Sequence, residues 1–245
     1  MAAKKEEPII TYDEVFEIYK IRKEGKTGYN FIKDIFDELK PQYIEIAISR
    51  GKNGSQSWNS WSGKALQNLI ERIVIEFVKN SQYPIGITSN DELMVKNLSH
   101  TLDTIKRNIV VFYNEIGIVP DADIIIYDKN LLKVIAVLSS KASLRERIAQ
   151  AAYWKKKFVE SKVTNGILCY LVSTDNDGDF IQKDKRGNEL SRSRIIVEYG
   201  ELDGAYIFRE IPESNKIKNF DQIEADLLKI FDRWFNASQN KSTLN

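Results

Sequence analysis

The sequence predicts an α/β (α+β) fold, a central mixed β-sheet flanked by helices, in one domain spanning residues 1–245. Three observations predict it. Ile/Val/Leu-rich runs at 124–126 and 131–138, separated by Asp128–Lys129–Asn130, read as two buried strands folded back as a hairpin. Stretches at 64–79 and 219–235 carry apolar residues at helical spacing. The element order is helices, strand, hairpin, helix, strand, further strands, helix. Within the one domain we distinguish an N-terminal part (1–62), a core (63–170) and a C-terminal part (171–245).

Composition sets outer bounds. Hydrophobic content of 42% and charged content of 29% are those of an ordinary globular chain. A net charge of +1 carries no information on partners, so any such signal must be local. The single cysteine, Cys169, excludes a disulfide framework and a cysteine zinc site, and its apolar surroundings read as core. The start, MAAKKEEP, has no apolar signal-like region, and no run reaches transmembrane length. The expectation is a cytoplasmic protein with no membrane partner.

Taken in order, residues 1–8 are charged and read as loose. Tyr12 to Arg22 suits a helix, broken at Glu24–Gly28. A second helix is expected from Tyr29 to Leu39, stopping before Pro41. Arg50 to Gly63 is rich in Gly, Ser and Asn, with Trp58 and Trp61. It has two readings of equal weight. One is a flexible loop touching an anionic ligand through Lys52, Asn53 and Ser55; the other is a surface loop whose tryptophans tuck under the next helix. Lys64 to Lys79 is amphipathic, with Glu71 close to its apolar stripe. Asn80 to Asn90 reads as loop and Asp91 to Arg107 as helix, and His100 on it takes no role. Asn108 to Tyr113 reads as a strand leading to the hairpin.

The hairpin places Asp121, at the start of its first strand, beside Lys141, at the end of its second. Period-two alternation puts Ser139 on the face of Lys141. Asp123 shares the face of Asp121 and reads either as a further ligand or as hairpin support. A basic helix comes next: seven Lys/Arg between 141 and 162 stand against Glu146 and Glu160, an imbalance that suits a polyanion. Ser143 and Glu146 fit a capping box. Leu144, Ile148, Ala151 and Phe158 then face the core, and Arg145, Arg147 and Lys155–Lys157 face outward.

Pro120–Asp121, strand–turn–strand, then Ser139–Ser140–Lys141 resembles the PD-(D/E)xK nuclease superfamily. The run Ala142 to Arg147, leading to Tyr153–Trp154–Lys155, resembles the segment after that lysine in some type II restriction endonucleases. The resemblance spans about fifty residues, and the element order agrees with the superfamily's α-β-β-β-α-β core. It implies a restriction-endonuclease-like fold and Mg2+-dependent, sequence-specific cleavage of double-stranded DNA. It further implies Asp121 as principal metal ligand, the Ser140 carbonyl as a second, and Lys141 holding the attacking water. Ser139 stands where the pattern has an acid. A helix ahead of the hairpin often adds a glutamate in the superfamily, which makes Glu71 the candidate to compensate. A palindromic target implies a homodimer. A catalytically inactive DNA-binding member and a repair or junction-resolving nuclease are the alternatives.

Gly166 to Ser173 reads as a buried strand. Thr174 to Ser193 is long and polar, and Gln182, Lys183, Lys185, Arg186, Asn188, Arg192 and Arg194 are side chains that pair with guanine and adenine edges, so base reading is placed there. Asp175, Asp177 and Asp179 alternate as in a calcium loop but lack its glutamate at loop position twelve. Ile195–Tyr199 and Ala205–Arg209 read as strands, Asn219–Phe235 as a helix and the tail as frayed.

Overall fold

The computed structural model describes residues 7–26, 28–144, 147–181 and 190–242, the side chains of 238–242 excepted. Three helices come first, α1 (Tyr12–Lys23), α2 (Phe31–Ser49) and α3 (Gly54–Asn80). Next are strand β1 (Ile85–Thr88), short helices α4 (Asn90–Leu93) and α5 (His100–Ile109), and strands β2 (Val111–Tyr113) and β3 (Ile116–Ile118). The hairpin is β4 (Ile124–Asp128) and β5 (Val134–Lys141). After it come α6 (Arg147–Val159), β6 (Leu168–Ser173), α7 (Arg192–Tyr199), β7 (Gly204–Ile207), β8 (Ile217–Asn219) and α8 (Ile223–Ser242).

The main sheet is mixed, in the order β1-β4-β5-β6-β7-β8. β4 pairs antiparallel with β1 and β5, whereas β5 through β8 run parallel. Strand alternation divides the core into two layers. Ile124, Ile126, Ala136 and Leu138 pack on α1, α2, α3 and α8. Ile125, Val137, Cys169 and Leu171 pack on α5, α6 and α7. The sheet flanked by helices is the predicted architecture, and the hairpin forms where the apolar runs place it.

Several local expectations are corrected. Residues 54–63 are not a loop but the first turns of α3: the Asn53 side chain accepts the Gln56 N–H at 3.0 Å and starts the helix. Trp58 and Trp61 pack there against Phe36 and Tyr43 of α2, with Trp61 stacked on Tyr43. α2 does not stop before Pro41 but continues to Ser49, because burial of Tyr43 and Ala47 beyond the proline offsets the lost hydrogen bond. The helix expected over 91–107 is two helices, each with its own serine cap: Ser89 with Glu92, and Ser99 bonding Leu102 N–H. The loop expected over 80–90 contains β1. Gly86 lies opposite Tyr127, and a Cβ at that position would meet the tyrosine ring at 2.1 Å, so glycine is what admits the ring. The strand expected at 108–113 shortens to β2 and pairs with β3 in a separate ribbon. Residues 195–199 are helical, not extended: Ser191 caps α7 by accepting the Arg194 N–H at 3.2 Å. β8, not foreseen, adds the sheet's outer edge.

Candidate active site

β5 ends at Lys141, and β4 starts three residues after Asp121. Extending the register Ile124↔Leu138 by one places Asp123 across from Ser139. The Asp123 carboxylate accepts the Ser140 N–H at 2.7 Å and a Lys141 Nζ–H at 2.9 Å, through the same oxygen, Oδ2. Asp121 Oδ2 lies 3.5 Å from the same ammonium. Lys141 and Asp123 are nearly buried, whereas the Asp121 side chain keeps 40% of its surface. Burial pushes the Asp123 carboxyl above the usual aspartate range, and Lys141 opposes that shift. The cluster is thus two carboxylates on one ammonium, open on the Asp121 side.

The other candidates lie as follows. Ser139 is buried on the Lys141 face and offers a neutral oxygen where an acid would offer charge. The Ser140 hydroxyl is buried on the other face with no hydrogen-bond partner among the described residues. Glu71 sits on α3, the helix that covers the face away from Lys141. It lines a cavity of about 410 Å3 with Asn68, Arg72, Ser89 and Glu92. Burial raises its carboxyl, and Glu92 is the first charged contributor. Gln67, one turn earlier, is what joins α3 to the site, its amide donating to the Asp123 carbonyl at 3.2 Å. Among the described residues no group of three or more His, Cys, Asp or Glu is placed to hold a metal. The two carboxylates at Lys141 are nonetheless hard oxygen donors of the kind and number that magnesium accepts while keeping several waters.

Asp123 is the residue whose weight the sequence leaves open. The signal lies in its parity with Asp121 and its place opposite Ser139.

Of the residues expected to bind DNA, Asn53 is engaged as the α3 cap, Ser55 is exposed in its first turn, and Lys52 lines a cavity of about 450 Å3 with Lys64 and Trp61. Arg147 and Arg192 are exposed at the starts of α6 and α7. Arg145, Gln182, Lys183, Lys185, Arg186 and Asn188 lie outside the described residues, as does Glu146 of the expected capping box. Arg194 does not face outward: its guanidinium is buried, donating to the carbonyls of Phe180 (3.0 Å) and Pro212 (2.7 Å) and to Glu198 (2.8 Å).

Residues 174–181 are fastened to the site's rim. Thr174 Oγ1–H and Asn176 N–H both donate to the Ala142 carbonyl at 3.2 Å. The three aspartates there accept hydrogen bonds from protein groups. Asp175 accepts the N–H groups of Asp179 (2.8 Å) and Phe180 (3.2 Å), Asp177 accepts from Ser143, and Asp179 accepts from Ser193. Asp175 is fully buried, and burial pushes its carboxyl up to about 6 against those hydrogen bonds.

Similarity to known proteins identifies the family. The model of the BsaWI type 2 restriction endonuclease family matches residues 101–226, just over half of the chain and inclusive of Asp121, Asp123 and Lys141. The "Putative type II restriction enzyme MjaVIP" of Methanocaldococcus jannaschii is 35% identical over 215 residues, covering 82% of this chain and 93% of that protein. The "Probable type II restriction enzyme HpyAORF263P" of Helicobacter pylori is 29% identical over 186 residues, covering 71% and 95%. Among solved structures, the restriction endonuclease PspGI in complex with substrate DNA superposes with a TM-score of 0.57 at 15% identity, over 92% of this chain and 94% of that one, a likeness of fold. The chain belongs to the BsaWI family and is a type II restriction endonuclease, a site-specific deoxyribonuclease.

Proposed function

We propose that Asp121, Asp123 and Lys141 are the catalytic centre for Mg2+-dependent hydrolysis of a phosphodiester in double-stranded DNA. The observation that carries this reading is the Lys141 ammonium at 2.9 and 3.5 Å from two carboxylates, at a strand end inside the family match. Type II restriction endonucleases typically use a divalent metal ion. A bound Mg2+ supplies Lewis acidity toward the phosphate and a more acidic water. Asp121, being the more exposed acid, and Asp123 would hold it, with the Ser140 carbonyl beside them. Asp123 takes up, from across the strand pair, the place of the acid missing at Ser139. Glu71 remains a candidate for the outer shell through water, reached by way of Gln67. Lys141 Nζ, released from the carboxylates, donates hydrogen bonds to the attacking water and to a phosphate oxygen as its charge grows. Arg145, Arg147, Arg192 and the segment holding Gln182, Lys183, Lys185, Arg186 and Asn188 are proposed to read and grip the duplex, with Lys52, Asn53 and Ser55 as further contacts. The cytoplasm is the proposed location.

The test is digestion of a sequenced plasmid. Discrete fragments are expected with Mg2+ and intact plasmid with a chelator. Undiminished cleavage in the chelator would overturn the metal dependence.

Two copies acting on a two-fold symmetric site are also proposed. The β2–β3 ribbon supports this reading: Phe112, Ile116 and Ile118 are exposed on it. The segment Ile116–Gly117–Ile118 is uncharged and forms the ribbon's edge, which suits antiparallel pairing with its own copy about Gly117. Sedimentation is expected to give a dimer that Ile116→Lys converts to monomer. A monomeric wild type would refute it.

A further inference from the structure

We propose that the cavity between α2, α3 and the ends of β5 and β6 seats a backbone phosphate of the DNA next to the one being cut. The cavity measures about 150 Å3, and its polar lining is Lys33, Asp37, Lys40, Ser62, Thr174 and Asn176. Ala142, the residue after Lys141, forms part of its wall. The site is therefore one residue along the chain from the catalytic lysine. This inference rests on the chain acting on DNA, and not on the metal or on the roles of Asp121 and Asp123.

Two features point to an anion. Ser62, only 6% exposed, lines the cavity and brings a hydroxyl donor to it. A hydroxyl can give its proton to an oxygen of an anionic ligand. Lys40 is exposed and forms no ion pair among the described residues, while Lys33 on the same helix is paired with Asp37. The three charges leave the cavity at a formal +1. The catalytic cluster itself, two carboxylates and one ammonium, stands at a formal −1. A DNA backbone approaching it is repelled unless neighbouring cations hold the strand, and Lys40 is placed to do so. Thr174 gives its proton to the Ala142 carbonyl and serves as wall, leaving the Lys40 ammonium, the Ser62 hydroxyl and the Asn176 amide as donors.

The test is binding measured without divalent metal. Fluorescence anisotropy with a duplex carrying the cleavage site and with an unrelated duplex, over a range of KCl, compares the wild type with Lys40→Ala and Lys40→Gln. Loss of one phosphate contact is expected to weaken both duplexes alike, by about 8-fold at 0.1 M salt, and to lower the slope of log K against log salt by about 0.9. In cleavage, KM is expected to rise with kcat held. Ser62→Ala, a smaller change, is expected to weaken binding in the same direction with an unchanged salt slope. Unaltered affinity and slope in folded Lys40 variants would overturn the proposal. So would inorganic phosphate binding that depends on Lys40 while DNA affinity does not, which would make the cavity a small-anion site. Because binding is read without metal, failure here is distinguishable from failure of the catalytic assignment.

Discussion

Asp121→Ala is expected to lose DNA cleavage by about three orders of magnitude or more, roughly 4 kcal/mol of transition-state stabilisation, while the fold stays intact. The two halves have separate causes. Asp121 is the open member of the cluster, with 40% of its side chain exposed and its carboxylate 3.5 Å from Lys141. A pair so placed contributes about 0–1 kcal/mol to stability, so the melting temperature should move little. Lys141→Ala is expected to lose cleavage similarly but to behave differently in stability. It leaves Asp123 buried with the Ser140 N–H as its remaining donor. That carboxyl is already raised above 3.8 by burial, and without Lys141 to oppose it the shift grows. A folded state that holds a proton more tightly than the unfolded chain is favoured at low pH. The stability of Lys141→Ala should therefore fall as pH rises above 3.8 and through the raised value, more steeply than in the wild type. Cleavage assays and thermal melts at several pH values check both halves. Full activity in Asp121→Ala would end the assignment.

The site was legible where the chain repeats one chemistry and illegible where a single residue decides. Ile124–Ile126 and Leu131–Leu138 are continuous enough that their pairing, and with it the meeting of Asp121 with Lys141, can be read from the sequence alone. The weight of Asp123 cannot. It depends on β4 starting at Ile124 and on a register that sets Asp123 opposite Ser139, and a one-residue slip would reverse its face. β1 was hidden because four residues, one of them a glycine beneath a tyrosine ring, carry no period. Ile195–Tyr199 reads as a strand because β-branched residues favour strands, while the serine that starts α7, Ser191, lies outside the apolar run. Polar composition at 54–63 conceals a helix face in the same way, with Asn53 as the signal.

The largest stability effect is expected at Lys155, which the charge run predicts to face outward with its neighbours and which is instead buried. Its position is legible in the spacing: Ile148, Ala151, Lys155 and Phe158 share one helical stripe, and all four are buried. In a run of three lysines on a helix, successive side chains point about 100° apart, so the first can fall on the buried stripe while the next two point away from it. Charge and spacing disagree at this position, and spacing decides. The buried ammonium is satisfied by Asp203 Oδ2 at 2.8 Å and the Ile167 carbonyl at 2.7 Å, and Asp203 in turn accepts the Cys169 N–H at 2.7 Å. The pair thereby fixes α6 to the start of β6 and to the turn before β7. Lys155→Ala strands the carboxylate and is expected to cost about 3–5 kcal/mol, a fall of about 10 °C in melting temperature for a chain of this size. Lys155→Met combined with Asp203→Asn removes both charges, keeps most of the volume and leaves an acceptor for the Cys169 N–H. That variant should recover most of the loss, because taking the ions out of water is what makes breaking such a pair by halves expensive. It should also keep cleavage, since neither residue reaches the Asp121–Lys141 cluster. Denaturant melts of the two variants decide it: a cost under about 1 kcal/mol for Lys155→Ala would mean that the ammonium is solvated and that α6 is held by its apolar residues alone.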